Sequence, residues 1–381
     1  MASYSFSAER IHVKRTFDPI LLGTIVLLTG TGLTVLFSSS FFRAGHLFGD
    51  PYRFFRTQGL FTLVGALCAI VPATVSLDRI RRFLPLMLLA TLVLMVLTFV
   101  PGVGASLQGA RRWIFVFGRS FQPSELVKLV MVIYLAHLLS NKQDVMDDAV
   151  NTLLPPFLVL SLFSFLIYAQ NDFSTSVYLF LVGAAMFFVA GAPIRYFFGL
   201  AVVSTPLAVI LLLSREHRVR RLLAFLEPGL DPSGSGFQIL AAERALVNGG
   251  TWGVGMGLGT QKMGSLPEVH SDFVFAVVAE ELGLVGVIAI IALFALFAWR
   301  GYMVAVRAPD VFRSFLAFGI TTMIVLQALL NIAVVVGAVP ATGIPLPFFS
   351  SGGSSMFVTL LACGLLLNVS RSMSDPEELH G

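Results

Sequence analysis

Four groups of ionisable residues lie inside or at the edges of long apolar stretches, where a charge is costly and marks a functional position. The first is LPEVHSDFVFAVVAEELG, 266–283. Asp272 stands where a polar segment enters an apolar run, with Glu268 and His270 beside it. A carboxylate at a membrane edge can act as a general base that takes the proton of an attacking hydroxyl. Equally, Ser271 or Asp272 can cap the helix that follows. At a 1.5 Å rise per residue, Glu280 falls about 12 Å along that helix from Asp272 and about 80° around it, with Glu281 nearly opposite. Both need polar neighbours, and a structural hydrogen-bonding role suits Glu281 best.

The second group is QPSELVK, 122–128. Glu125 and Lys128 are spaced i,i+3 and can pair on one helical face. Such a pair acts first as a lock, placed beside a cavity where Lys128 can meet an anionic lipid group. The third is Arg111 and Arg112 beside Trp113, which can grip phosphate or anchor the chain among lipid headgroups. The fourth is Asp172 in QNDFSTS, 170–176, where a helix N-cap is the plain reading. A fifth stretch, PATGIPLPFFSSGGSSM (340–356), is irregular just before the last apolar run. Backbone of that kind at membrane depth must be buried in protein or line a wet cavity.

The elements that position these groups follow from composition. Of 381 residues, 56% are apolar and 12% charged, about half the charge of a soluble domain. The bilayer is therefore the solvent. Ten apolar runs, at roughly 18–39, 58–76, 83–100, 123–140, 152–169, 174–191, 194–213, 271–298, 309–338 and 351–371, are each near the 20 residues needed to span it. The fold class is all-α, a polytopic membrane protein read as one domain over 1–381. The polar, basic first 17 residues precede a run too long for a signal peptide, so that run stays as the first helix.

With the N-terminus in the cytoplasm, twelve Lys and Arg fall in the inner segments and six in the short outer loops. That bias places both termini in the cytoplasm. A large outer loop, 214–270, contains amphipathic stretches near 215–226 and 236–248, separated by PGLDPSGSG. The four ionisable groups then converge on the outer side. Cys68 and Cys363, both in apolar runs, form no disulfide framework, and the six histidines show no metal-ligand spacing. No basic cluster with interleaved aromatics points to nucleic acid.

The motifs GARRWI (109–114), FQPSELVKL (121–129), NDFST (171–175), RRLLAFLEPGLDPSGSGFQI (220–239), GVGMGLGTQK (253–262), LPEVHSDFVFAVVAEELG (266–283) and GIPLPFFSSGGSSM (343–356) resemble, in order and over most of the chain, the SEDS family of shape, elongation, division and sporulation proteins, which includes FtsW and RodA. Two departures are local: Asn171–Thr175 replaces the usual Pro-Asp-Leu-Gly-Thr, and Ser351 stands where the family has Tyr. The resemblance implies a peptidoglycan glycosyltransferase that polymerises lipid II on the outer face of the cytoplasmic membrane with a class B penicillin-binding protein. It sets the essential aspartate at Asp272. The diphosphate then needs positive charge from Arg111, Arg112, Lys128 or Lys262, or from a divalent cation, with no cofactor built in. Glu125, Asp172, His270 and Glu280 complete the expected binding set. Gln261-Lys262 and Arg111-Arg112-Trp113 look closer to the division branch, with other division or elongation membrane proteins as further partners. A lipid II flippase, an elongation polymerase and a recruiting scaffold are the competing readings.

Overall fold

The computed structural model describes residues 16–107, 110–116, 118–141, 152–230, 235–261 and 272–373. Their backbone is overwhelmingly helical. Eight helices are long and apolar enough to cross a membrane: α1 (Pro19–Phe48), α2 (Arg53–Thr74), α3 (Leu77–Leu97), α4 (Pro123–Ser140), α7 (Ile194–Leu213), α10 (Val274–Val306), α11 (Val311–Val335) and α12 (Gly353–Ser370). Two shorter apolar helices, α5 (Leu154–Ala169) and α6 (Phe173–Val189), complete the bundle. Each overlaps one of the ten apolar runs of the sequence, but only eight reach spanning length, and α5 and α6 are too short to count among the spans.

Burial sorts the helices. α4, α11 and α12 are central, with 72%, 61% and 83% of their apolar windows inside the protein. α2 and α3 are peripheral, and α7 has no buried residue at all. Apolar side chains such as Phe198 and Val202 on α7 face outward, which in water would be a large destabilising surface and in lipid is the expected one.

One end of the bundle is where α1, α3, α5, α7 and α11 finish and α2, α4, α6, α10 and α12 begin. The expected site residues that are described belong to that end. The structure departs from the sequence reading in three ways: a sheet, the packing of the second amphipathic stretch and a break in α10. The segment expected as a polar loop over 101–122 is a three-stranded antiparallel sheet, an addition to the all-α reading: β1 (Gly104–Leu107), β2 (Ala110–Val116) and β3 (Arg119–Phe121). Along β2 Ala110 and Ile114 are buried while Arg111 and Phe115 are exposed, as the two faces of a strand allow. The amphipathic stretches form α8 (Glu216–Leu226) and α9 (Ser235–Gly249), as expected. α9 buries Ala241, Ala242 and Ala245 against its neighbours, chiefly α10, rather than resting on lipid alone.

The third departure is inside α10. The helix breaks at Gly283, which has φ 64° and ψ −164°. A break strands carbonyls and amides that lipid cannot satisfy. The glycine-rich segment after α9 satisfies them. Val254 and Gly255 donate their amides to the Glu280 and Glu281 carbonyls at 2.9 and 3.1 Å. Leu284 and Val285 donate to the Gly250 and Thr251 carbonyls at 2.9 and 3.2 Å. The two chains approach so closely that a Cβ on Gly283 would lie 2.3 Å from the Gly253 nitrogen. Gly283→Ala is expected to cost about 1–3 kcal/mol in backbone strain before that clash is counted, read as a lowered thermal unfolding midpoint in detergent.

Helix lengths also shift. α1 continues to Phe48 instead of stopping near 39, because Ser38, Ser39 and Ser40 are buried in protein and need no water. Ser38 donates to the Glu281 carboxylate, with 2.6 and 2.8 Å to its two oxygens, which gives Glu281 the structural role expected of it.

Candidate active site

Asp272 precedes α10 and is half-buried. The helix N-cap is Phe273, with no side-chain cap bond, so the capping reading of Asp272 does not describe this end of α10. Asp272 lines a small cavity of about 20 Å³ with Arg221 of α8, Gln238 of α9, Asn331 of α11 and the Thr342–Ile344 segment. Five chain segments therefore meet at one carboxylate. Asn331 donates its side-chain amide to the Asp272 carbonyl at 2.9 Å and to the Ile344 carbonyl at 2.8 Å. Gly343 has φ +73°, and a Cβ there would stand 3.5 Å from Asp272 Oδ2. The loop backbone thus runs alongside the carboxylate.

That loop is the Pro- and Ser-Gly-rich segment that the sequence marked as irregular. It is held by side chains from two helices. Gln327 donates to the Pro345 carbonyl at 2.9 Å, and Gln58 donates to the Ser350 carbonyl while accepting from the Gly352 amide, at 3.2 and 3.3 Å. Phe348, Phe349 and Ser350 are buried. The irregular backbone lies inside protein, as its depth demands.

Glu125 and Lys128 pair at 2.8 Å in the first turns of α4, each about 5% exposed. The Lys128 ammonium also donates to Gln327 Oε1 at 2.9 Å and lies 5.4 Å from the Tyr178 ring centroid. With these partners Lys128 is engaged as a lock, and Gln327 links that lock to the loop beside Asp272.

Asp172 is the N-cap of α6, accepting from the Thr175 amide at 3.1 Å. It also receives Arg112 Nη1 at 3.0 Å and Gln122 Nε2 at 3.4 Å. Arg112 thereby fastens β2 to the α5–α6 turn, while Arg111 faces out and is exposed. Arg112→Ala leaves the buried Asp172 carboxylate short of a charged donor. It is expected to cost about 1.5–3 kcal/mol, seen as a lower unfolding temperature.

Glu280, 1% exposed, accepts from the Thr260 amide and hydroxyl at 3.0 and 3.1 Å and from the Gln261 amide at 3.3 Å. Its carboxylate holds the end of the glycine-rich segment, immediately before Lys262. Lys262, Glu268, His270 and Ser271 lie outside the described residues. Arg221, Gln238 and Asn331 were not among the residues that sequence alone singled out. Arg221 sits in an amphipathic stretch with four other basic or acidic neighbours, and nothing in its spacing separates it from them.

Comparison with known proteins gives the same assignment from independent directions. The cell cycle protein family model of FtsW, RodA and SpoVE matches residues 19–375. A probable peptidoglycan glycosyltransferase FtsW of Geobacter sp. (strain M18) is 39% identical over 357 residues, covering 94% of this chain and 97% of that one. Stage V sporulation protein E of Bacillus subtilis (strain 168) is 40% identical, over 94% of this chain and 98% of that one. A chain of a peptidoglycan synthase complex that coordinates polymerization and crosslinking superposes with a TM-score of 0.78 at 28% identity, covering 93% of this chain and 98% of that one. With its broken α10 and a polar site walled by α8, α9 and the 339–352 loop, this multi-pass membrane protein belongs to the FtsW/RodA/SpoVE family.

Proposed function

We propose that this protein is a peptidoglycan glycosyltransferase that polymerises lipid II, serving cell division. The observation that carries this reading is Asp272, a half-buried carboxylate on a polar cavity at one end of a membrane bundle, whose backbone carbonyl is fixed by the Asn331 amide. The 4-hydroxyl of one lipid-linked sugar attacks the anomeric carbon of another. The new O–C bond forms as the bond to phosphate breaks, and the electron pair leaves with undecaprenyl diphosphate. Asp272 receives the hydroxyl proton, which makes the oxygen nucleophilic as the bond forms.

The departing diphosphate needs cationic stabilisation. Arg221 lines the Asp272 cavity and Arg111 is exposed on β2, whereas Lys128 and Arg112 are already paired with carboxylates. Among the described residues no group of three or more His, Cys, Asp or Glu is placed to hold a metal ion. A divalent cation, when bound, would supply positive charge to the departing diphosphate.

The membrane is the cytoplasmic one, with both termini in the cytoplasm and the Asp272 end facing outward. The bias of twelve basic residues against six supports that orientation. A class B penicillin-binding protein is the partner that would crosslink the product, a reading supported by the similarity to a chain of a peptidoglycan synthase complex that coordinates polymerization and crosslinking. The test is reconstitution with that partner, lipid II and a divalent cation, with products resolved on a gel. Glycan chains support the proposal. Lipid II carried across sealed vesicles with no polymer formed would replace it with the flippase reading.

A further inference from the structure

Asn331 is 1% exposed, yet only half of its amide is used. Its nitrogen faces two carbonyl oxygens, of Asp272 and Ile344, so the assignment of Nδ2 to that side is fixed by chemistry: a flip would set oxygen against oxygen. Oδ1 is consequently the other end, buried and without a hydrogen-bond partner among the described residues. An orphaned buried acceptor is destabilising unless something donates to it. The cavity that Asn331 lines has about 20 Å³, room for one water and for little else. Its walls also include Asp272, Arg221, Gln238 and Thr342, enough polar side chains to give a water the two to four bonds it requires.

We propose that this cavity is a site for one ordered water that donates to Asn331 Oδ1 and to the Asp272 carboxylate, making Asn331 a positioning residue for the base. The inference rests on the polymerase reading only in calling Asp272 a base. The water gives the half-buried carboxylate a hydrogen-bond donor within the protein, which favours its charged form. The Asn331 amide meanwhile fixes the Asp272 backbone to the loop at Ile344. Arg221 is the charged group that lines the same cavity among the described residues, and it too favours the carboxylate form.

Two variants separate the parts. Asn331→Leu removes the acceptor and both donated bonds. Ala341→Val keeps the Asn331 bonds and fills the cavity from its wall. In each, Asp272 is titrated by infrared difference spectroscopy, with Asp272→Asn subtracted to assign the band, and folding is followed by thermal unfolding. Loss of the water desolvates the carboxylate, so both variants are expected to titrate at higher pH than wild type. Polymerisation should fall about 10²-fold in kcat, the scale of a small misplacement of a reacting group, with KM little changed and the acid limb of the rate profile moved upward. A folded Ala341→Val protein whose Asp272 titrates as wild type would overturn the water site. A folded Asn331→Leu protein with wild-type kcat and titration would overturn the positioning role. If wild type forms no polymer while the titrations still shift, the polymerase reading fails and the water site stands.

Discussion

Asp272→Asn is expected to lower polymer formation by about 10²–10⁴-fold, the usual contribution of a general base, while leaving the protein folded. The substitution keeps the shape of the side chain and retains hydrogen bonding, but an amide cannot accept the proton of the attacking hydroxyl. The fold should tolerate it for a specific reason. What Asn331 grips is the Asp272 backbone carbonyl, which the substitution does not touch, and the N-cap of the helix is Phe273. The check pairs a gel assay of glycan chains with thermal unfolding of both proteins. Full polymer yield from the variant would remove Asp272 from the role of base. An equal loss of polymer and of folded protein would make it a structural residue.

Lys128→Met carries the largest expected effect on stability. It leaves the Glu125 carboxylate, 4% exposed, without its ammonium partner, and breaking a buried ion pair from one side costs about 3–5 kcal/mol. The double variant Glu125→Gln, Lys128→Met should recover much of that loss, because replacing both members of a buried pair is often close to neutral. Activity need not recover with it. Lys128 also donates to Gln327, whose own amide holds the Pro345 carbonyl of the loop beside Asp272. A double variant that is stable but slow would show the pair acting through that chain of contacts. A single Lys128→Met protein as stable as wild type would mean that Glu125 is not paying a burial penalty, contrary to its geometry.

How much of this was legible before folding differs element by element. The apolar runs were, because a hydrocarbon core admits only long apolar helices, and α7 matches its predicted 194–213 to the residue. The Glu125–Lys128 pair was as well, since i,i+3 spacing in a helix places the two side chains together whatever the rest of the chain does. The same holds for Asp172, whose capping bond to Thr175 is three residues away. The β1–β2–β3 sheet was not legible, because ARRWIFV sets two arginines side by side and then four apolar residues, with no alternation to mark a strand.

By itself, then, the sequence determined the membrane solvent, the helical class, the local pairs and caps, and the membrane-edge position of Asp272. These depend on short-range spacing or on composition, and both are written in the order of residues. Tertiary structure decided what surrounds Asp272. Arg221, Gln238, Asn331 and Thr342 come from four segments that only packing brings together, and no periodicity signals a contact across 51 or 59 residues. It also decided the break at Gly283. There a helix can break inside an apolar run only because a glycine-rich segment from outside the helix takes its four unpaired backbone groups, and the absence of side chains on Gly253 and Gly283 lets the two backbones come close enough to do it.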